Sequence, residues 1–577
     1  MADTTSTAKT TVASSATTKG GWHAAIFIIW VEVAERFAFQ GLASNLITYL
    51  TTALKEPVTV GVKNVNTWAG VSSLFPLLGG FIADSYLGRF KTILLSSVIY
   101  LLGMVLLTLS VSALKHKALF FVALYILAIG DGGHKPCVQT FAADQFDEDT
   151  PEERDDKSSF FNWWYLGIVF GSTTSVFVVT YLQDNVGWGV GLGVLSVVLG
   201  IALVMFLVGM KRYRKERPPG SPFTSLAQVF VAASRKWRLN PTRLPPTYNY
   251  QPHSTSSNPP PPALLHTPHF RFLDKATMMD EHDASAKTRN PWRLCSVSQV
   301  EEVKLVLRLI PIWLSCLMFT VVQTQLHTFF TKQASTMVRS LGPHFHIPPA
   351  SLQGLVGLTL LVAVPIYDRA FVPFARRLTG HRSGITVLQR IGAGLFLSIL
   401  NMAVSALVES RRIRVAKHHG LLDNPNPNPN PNPVLPMSVW WLLPQYFLTG
   451  VSDAFTIVGL QELFYDQMPE ALRSLGAAAY ISIVGIGSFV SNAIIGIVEG
   501  VTRGKWLGND LNTAHLDYFY WVLAVLSALN LCVYVWIAMG FVYKKMGGRD
   551  DNDSDDDETA SNEPQVRSTI PMVHDGV

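Results

Sequence analysis

Apolar positions dominate this chain in runs of about twenty residues. The runs fall near 24–50, 67–86, 92–113, 118–141, 159–182, 189–210, 304–330, 350–372, 385–409, 438–466, 474–500 and 516–543. A helix needs about twenty such residues to cross roughly 30 Å of hydrocarbon. The pattern therefore predicts an all-α integral membrane protein with about twelve transmembrane helices. The longest polar interval, 211–303, lies between the sixth and seventh runs and divides the molecule into two six-helix bundles, over 24–210 and 304–544.

Polar positions inside the apolar runs carry more information than the runs. In WVEVAERFAFQG (30–41), Glu32, Glu35 and Arg36 share one face of a helix. Ionisable groups in a membrane helix are normally turned toward an internal cavity and toward partners. Lys135, near the end of the fourth run, and Glu462, in the tenth, are candidates for such a cavity from the two halves. If both face that cavity, they are expected to pair across the interface between bundles. In the seventh run, Gln323, Gln325 and His327 add further polar positions, part of which are expected to line the pathway. The lone histidines His23, His134 and His515 are expected to be structural or interfacial.

Composition agrees with a membrane protein: of 577 residues, 49% are hydrophobic, 11% aromatic and only 15% charged, with mean hydropathy +0.26. The net charge of +5 is too small to point to nucleic acid, and it is concentrated in loops. KRYRKER (211–217) and the arginines after it favour a cytosolic central loop, which also puts both termini and the even-numbered loops in the cytosol. RRIRVAK (411–417) goes against that bias. Within the central loop, 223–237 has the apolar spacing of a helix, suited to lying along the membrane surface. Residues 240–263 and NPNPNPNPNP (424–433) read as linkers. Residues 1–23 and the acidic DDNDSDDDE (550–558) within 545–577 read as disordered tails. The four cysteines have no metal-ligand or disulfide spacing, so no metal and no cofactor are expected. No nucleophile–base constellation or phosphate loop appears, which argues against an enzyme.

Three motifs narrow the class. GGFIADSYLGRFK (79–91) resembles the loop signature of the major facilitator superfamily, which implies that Asp84 and Arg89 help to close the cytoplasmic face. GDGGHKPCVQTFAADQFD (130–147) resembles the signature of the proton-coupled oligopeptide transporter family, whose plant branch includes the nitrate/peptide transporters. The ExxERF motif of that family's first helix is matched by Glu32, Glu35, Arg36 and Phe37. FFNWWY (160–165), NPWRLC (290–295), YDR (367–369) and QELFYDQMPEALRSLG (461–476) extend the resemblance over roughly residues 21–545.

The resemblance implies a symporter moving protons with a small solute, such as nitrate or a di- or tripeptide, by alternating access. It also implies proton coupling by Glu32, Glu35, Arg36 and Lys135, and substrate contact or gating by Glu462, Gln323, His327 and Gln40. Phe39 and Gln40 stand where peptide-carrying relatives usually have tyrosines. Val169 stands near a customary asparagine, so peptide selectivity is not secured. Competing readings are a transport-fold receptor that binds solute without flux, and a carrier of a larger plant metabolite or hormone. The plasma and vacuolar membranes are the expected locations.

Overall fold

The computed structural model describes residues 20–146, 151–215, 220, 222–238, 267–279, 290–343, 345–379, 385–419, 434–468 and 473–543. The tails, the Pro-rich stretch 240–263, the repeat 424–433, Asp147 and Arg382 lie outside the described residues, wholly or for the most part. In chain order the long helices are α1 (Trp22–Ala43), α2 (Val58–Ile82), α3 (Arg89–Ser112), α4 (Lys117–Ala143), α5 (Pro151–Asn185) and α6 (Trp188–Val208). A shorter helix, α7, runs over Pro222–Arg235, where apolar spacing predicts one.

The second half starts with a helix broken into α8 (Val297–Ser315), α9 (Leu317–Gln323) and α10 (Phe329–Ser335), with a 43° bend between α8 and α9. It continues through α11 (Gly354–Ile366), α12 (Val387–His418), α13 (Leu443–Gln467), α14 (Arg473–Thr502) and α15 (Leu516–Met539). Among the described residues, nine helices are long and apolar enough to cross a membrane, or ten counting the bent pair α8–α9. The two other long helices, α1 and α13, bring the set to the twelve expected. They are the ones that carry Glu32, Glu35 and Arg36, and Asp453, Glu462 and Asp466.

Burial is inverted relative to a water-soluble bundle, as lipid requires. On α3, Leu95, Val98, Leu102, Val105 and Leu109 recur at helical spacing and are exposed, while Thr92, Ser96, Tyr100 and Gly103 are buried. The apolar stripe faces outward and the small and polar residues pack helix on helix.

Close packing explains the glycines of GDGG. A Cβ at Gly130 would come within 2.6 Å of the Tyr100 backbone nitrogen on α3. One at Gly79 would run into the backbone of Gly132, and one at Gly133 into Ser96. Gly130 and Gly133 thus press α4 onto α3, and Gly132 presses it onto α2. The remaining face, with Asp131, His134 and Lys135, is left for α1.

Two compact units are present: Met1–Ala227 with Leu305–Val542, and Gln228–Lys304 with Tyr543–Val577. In the second, the fully buried Lys304 holds Asp274 at 2.5 Å, Glu301 at 2.8 Å and the Thr267 carbonyl at 2.9 Å. Lys236, also buried, donates to the Met278 carbonyl at 2.6 Å. The central loop is therefore ordered in part around satisfied lysines.

In the first unit the buried apolar residues form three groups. One contains residues of both halves, among them Leu42, Leu46 and Trp68 with Phe329, Phe330 and Tyr446. The other two belong to a single half each: Ile28, Phe141 and Phe206 in one, Leu309, Leu395 and Phe464 in the other. The shared group lies at the end of the bundle where α6 begins, called the far end below. The separate groups lie at the end where α6 finishes, called the linker end.

Candidate transport site

Glu32, Glu35 and Arg36 occupy one face of α1, as their spacing requires. Arg36 Nε lies 2.8 Å from Glu32 Oε1 and 3.4 Å from Glu35 Oε2, and both carboxylates are buried. From α4, Lys135 Nζ reaches Asp131 Oδ2 at 2.7 Å, one turn back on the same helix. Lys135 also sits 3.7 Å from the centre of the Phe39 ring, which stacks on Trp68 at 5.4 Å. Phe39, the position that departs from the peptide-carrying pattern, therefore supplies a cation–π face to the lysine. Gln40 beside it is half-buried.

His134, expected to be structural, lies in this cluster: ligand atoms of Glu32, Glu35 and His134 all fall within 4.8 Å of one another. Tyr100 of α3 is buried against the same group. Asp131 was not foreseen, although the spacing of Asp131 and Lys135 in GDGGHK is that of an i,i+4 ion pair.

In the other half, Glu462 of α13 is 43% exposed and pairs with Arg390 Nη1 of α12 at 3.1 Å. Arg390 also donates to the Ala454 carbonyl at 3.0 Å and lies 4.2 Å from the centre of the Tyr367 ring, from YDR. Lys135 and Glu462 do not pair with each other in this conformation. Each has a partner within its own half, and neither Asp131 nor Arg390 is part of the sequence-based set. Gln323 donates to Asp453 of α13, a carboxylate also unforeseen. His327 Nδ1 lies 2.7 Å from Gln353 Oε1, and Gln353 Nε2 donates to the Ser44 carbonyl at 2.9 Å, which ties His327 to the first half.

Asp84 and Arg89 lie at the linker end of the first half. Arg89 is 2.5 Å from Asp144 of the DQFD motif and 3.6 Å from Asp84. The neighbouring Gln145 accepts from the Arg214 N–H at 2.8 Å, and its carbonyl accepts from the Gly21 N–H at 2.7 Å. The motif thus fastens the start of α1 to the chain leaving α6.

Hydrogen bonds and ion pairs join the halves at the far end. Lys63 meets Glu499 at 2.6 Å, Thr180 meets Ser351 at 2.7 Å, and Lys332 donates to Thr51 at 3.1 Å. Asn66 donates to Asn492 at 3.1 Å, and the Val58 N–H to Asn509 at 3.1 Å. With the shared apolar group, these contacts close the far end, while the linker end has a separate core in each half.

Comparison with known proteins agrees with this architecture. The chain is 55% identical to Protein NRT1/PTR FAMILY 5.4 of Arabidopsis thaliana over 547 residues, covering 93% of this chain and 97% of that protein. It is 47% identical to NRT1/PTR FAMILY 5.10 of the same plant, covering 91% and 94%. Among solved structures, an auto-inhibited POT family peptide transporter superposes with TM-score 0.68 at 19% identity, covering 92% of this chain and 99% of that one. The POT family transporter PepTSo gives 0.65 at 22% identity, covering 90% and 98%. These likenesses establish the fold of a membrane transporter in two six-helix bundles. The sequence profile of the POT family matches residues 90–509, and the chain belongs to that family.

Proposed function

We propose that this protein is a proton-coupled symporter that moves a small anionic or zwitterionic solute, nitrate or a di- or tripeptide, by rocking its two bundles about a site between them. The observation that carries this reading is the set of buried Glu32, Glu35 and Asp131 with half-buried Arg36 and Lys135, located where the shared core of the two halves gives way to separate ones. A receptor without flux has no need of such charges, which are expensive in lipid.

In the proposed cycle, Glu32 and Glu35 take up and release protons beside the permanent cation Arg36, and Lys135 changes partner between Asp131 and the solute. Glu462, with Arg390, and Gln323, His327 and Gln40 meet or gate the solute from the cavity walls. Asp84 and Arg89 steady the linker end, which positive charge assigns to the cytosol together with both termini. The membrane is the plasma membrane or the vacuolar membrane. The proton is the only coupling species proposed; no cofactor and no nucleic-acid partner enters.

Purified protein in liposomes tests this. An inward proton gradient is expected to accelerate uptake of a nitrate or dipeptide probe, and Glu35→Gln to abolish at least about tenfold of that acceleration, the equivalent of about 1.4 kcal/mol. Uptake indifferent to both the gradient and the substitution would refute the coupling.

A further inference from the structure

The buried cluster between α1 and α4 does not balance its charge. Three carboxylates face it, Glu32 and Glu35 from α1 and Asp131 from α4, against two permanent partners, Arg36 and Lys135. The other titratable groups that face it are His134 on α4 and the phenol of Tyr100 on α3, both buried, and the phenol of Tyr480 on α14, beside Arg36. Fully ionised, with a neutral imidazole, the cluster would hold one uncompensated negative charge away from water. Such a charge is far costlier than its protonated form.

The geometry also indicates where the compensating proton sits. The carboxyl groups of Glu35 and Asp131 interact electrostatically across the α1–α4 contact. As two carboxylates they would have no proton to share: Glu35 Oε1 and Asp131 Oδ1 are buried with no hydrogen-bond donor, and Glu35 Oε2 has only the 3.4 Å ion pair with Arg36. Two facing carboxylates repel unless one is protonated, and a single proton between them removes both the repulsion and the excess charge. His134, with Nδ1 also unpartnered, could carry the balancing charge as imidazolium. That would leave the contact between the two carboxylates repulsive.

We propose that Asp131 is a member of the proton site, holding one proton in common with Glu35 across the α1–α4 contact in this conformation. This deepens the symport reading and rests on it. The site is then a carboxyl pair supported by two ion pairs: Arg36 holds Glu32 and the near oxygen of Glu35, and Lys135 holds the outer oxygen of Asp131. Release of the proton would follow when Lys135 leaves Asp131 or the α1–α4 contact opens.

Infrared spectroscopy of the full-length protein in lipid at neutral pH, without substrate or gradient, tests the inference. The wild-type-minus-Asp131→Asn difference spectrum is expected to contain the carbonyl band of one buried protonated carboxyl, and wild type minus Glu35→Gln the same band. Lys135→Gln, which removes a cation, is expected to add a second such band. No band in either carboxyl difference spectrum would overturn the proposal. So would a protonated-carboxyl band that appears only in His134→Gln, because the proton would then reside on the imidazole. Should a carboxyl variant fail to fold, acid-to-alkaline difference spectra of the wild type and Lys135→Gln give the same readout.

The two readings fail separately. A missing band leaves gradient-driven uptake to stand or fall in liposomes, and loss of coupling there does not remove the band.

Discussion

Among single residues, Arg412 shows how a charge can mislead a sequence reading. It belongs to RRIRVAK, the basic stretch that runs against the charge bias of the loops. The side chain is fully buried near the end of α12, held to Glu409 at 2.7 Å, with further bonds to Thr336, Asn512 and the Leu511 carbonyl. Gln333 supports Glu409 at 2.7 Å. At this position the positive charge is a structural partner and carries no topological information. Replacing Arg412 by Leu leaves Glu409 buried and unpaired, so the expected loss is about 3–5 kcal/mol. Replacing Glu409 and Arg412 together by Leu should recover part of it. Thermal unfolding of the detergent-solubilised variants measures both, and a single variant as stable as the wild type would show that the pair contributes nothing. The same blindness hid Asp131 and Arg390: the motif drew attention to Lys135 and Glu462, and their partners become visible only when the helices are assembled.

Whole elements were more legible than individual partners. Apolar length located the twelve spans because lipid imposes that length on any helix that crosses it. It misjudged their ends where polar residues continue a helix beyond the hydrocarbon. α2 begins at Val58 rather than near 67, and α12 runs to His418 rather than 409. The break of the seventh span into α8, α9 and α10 was not legible, since it arises at Ser315–Cys316 and around Thr324–Thr328 without a glycine. The glycines of GDGG were visible as a motif, but their purpose is a crossing geometry. Gly132→Val is expected to force α2 and α4 apart, because its Cβ would collide with Phe75. Folded yield after detergent extraction should fall severalfold, while Gly200→Ala, at a site with no neighbour within 4 Å, should leave it unchanged. Equal yields would show that the close crossing is dispensable.

For the molecule as a whole, the far-end bonds are the ones that alternating access must break. Each is individually modest, and exposed pairs such as Lys63 with Glu499 are worth about 0–1 kcal/mol. The buried Gln353, bonded to both Ser44 and Thr331 at 2.9 and 2.8 Å, should weigh more. Combining Gln353→Leu with Lys63→Met is expected to shift the population toward a conformation open at the far end. Spin labels placed across that end should then report longer distances than in the wild type. An unchanged distance distribution would mean that the apolar group shared by the halves, rather than these bonds, sets the equilibrium.

The pairing of Arg36 with Glu32 also bears on how the chain is made. α1 is offered to the membrane during synthesis before α4 exists to receive its charges. Three separate ions near the bilayer centre would oppose insertion by about 2.5–3.5 kcal/mol each. Arg36 reaches Glu32 one turn back on its own helix, so this pair can form while α1 is alone. Arg36 also lies 3.4 Å from Glu35, but one cation offsets only one of the two acids, so one negative charge waits for α4. The order of synthesis thus separates the residues: a self-neutralising pair that lets the helix enter, and one acid left over for Asp131 once α4 arrives.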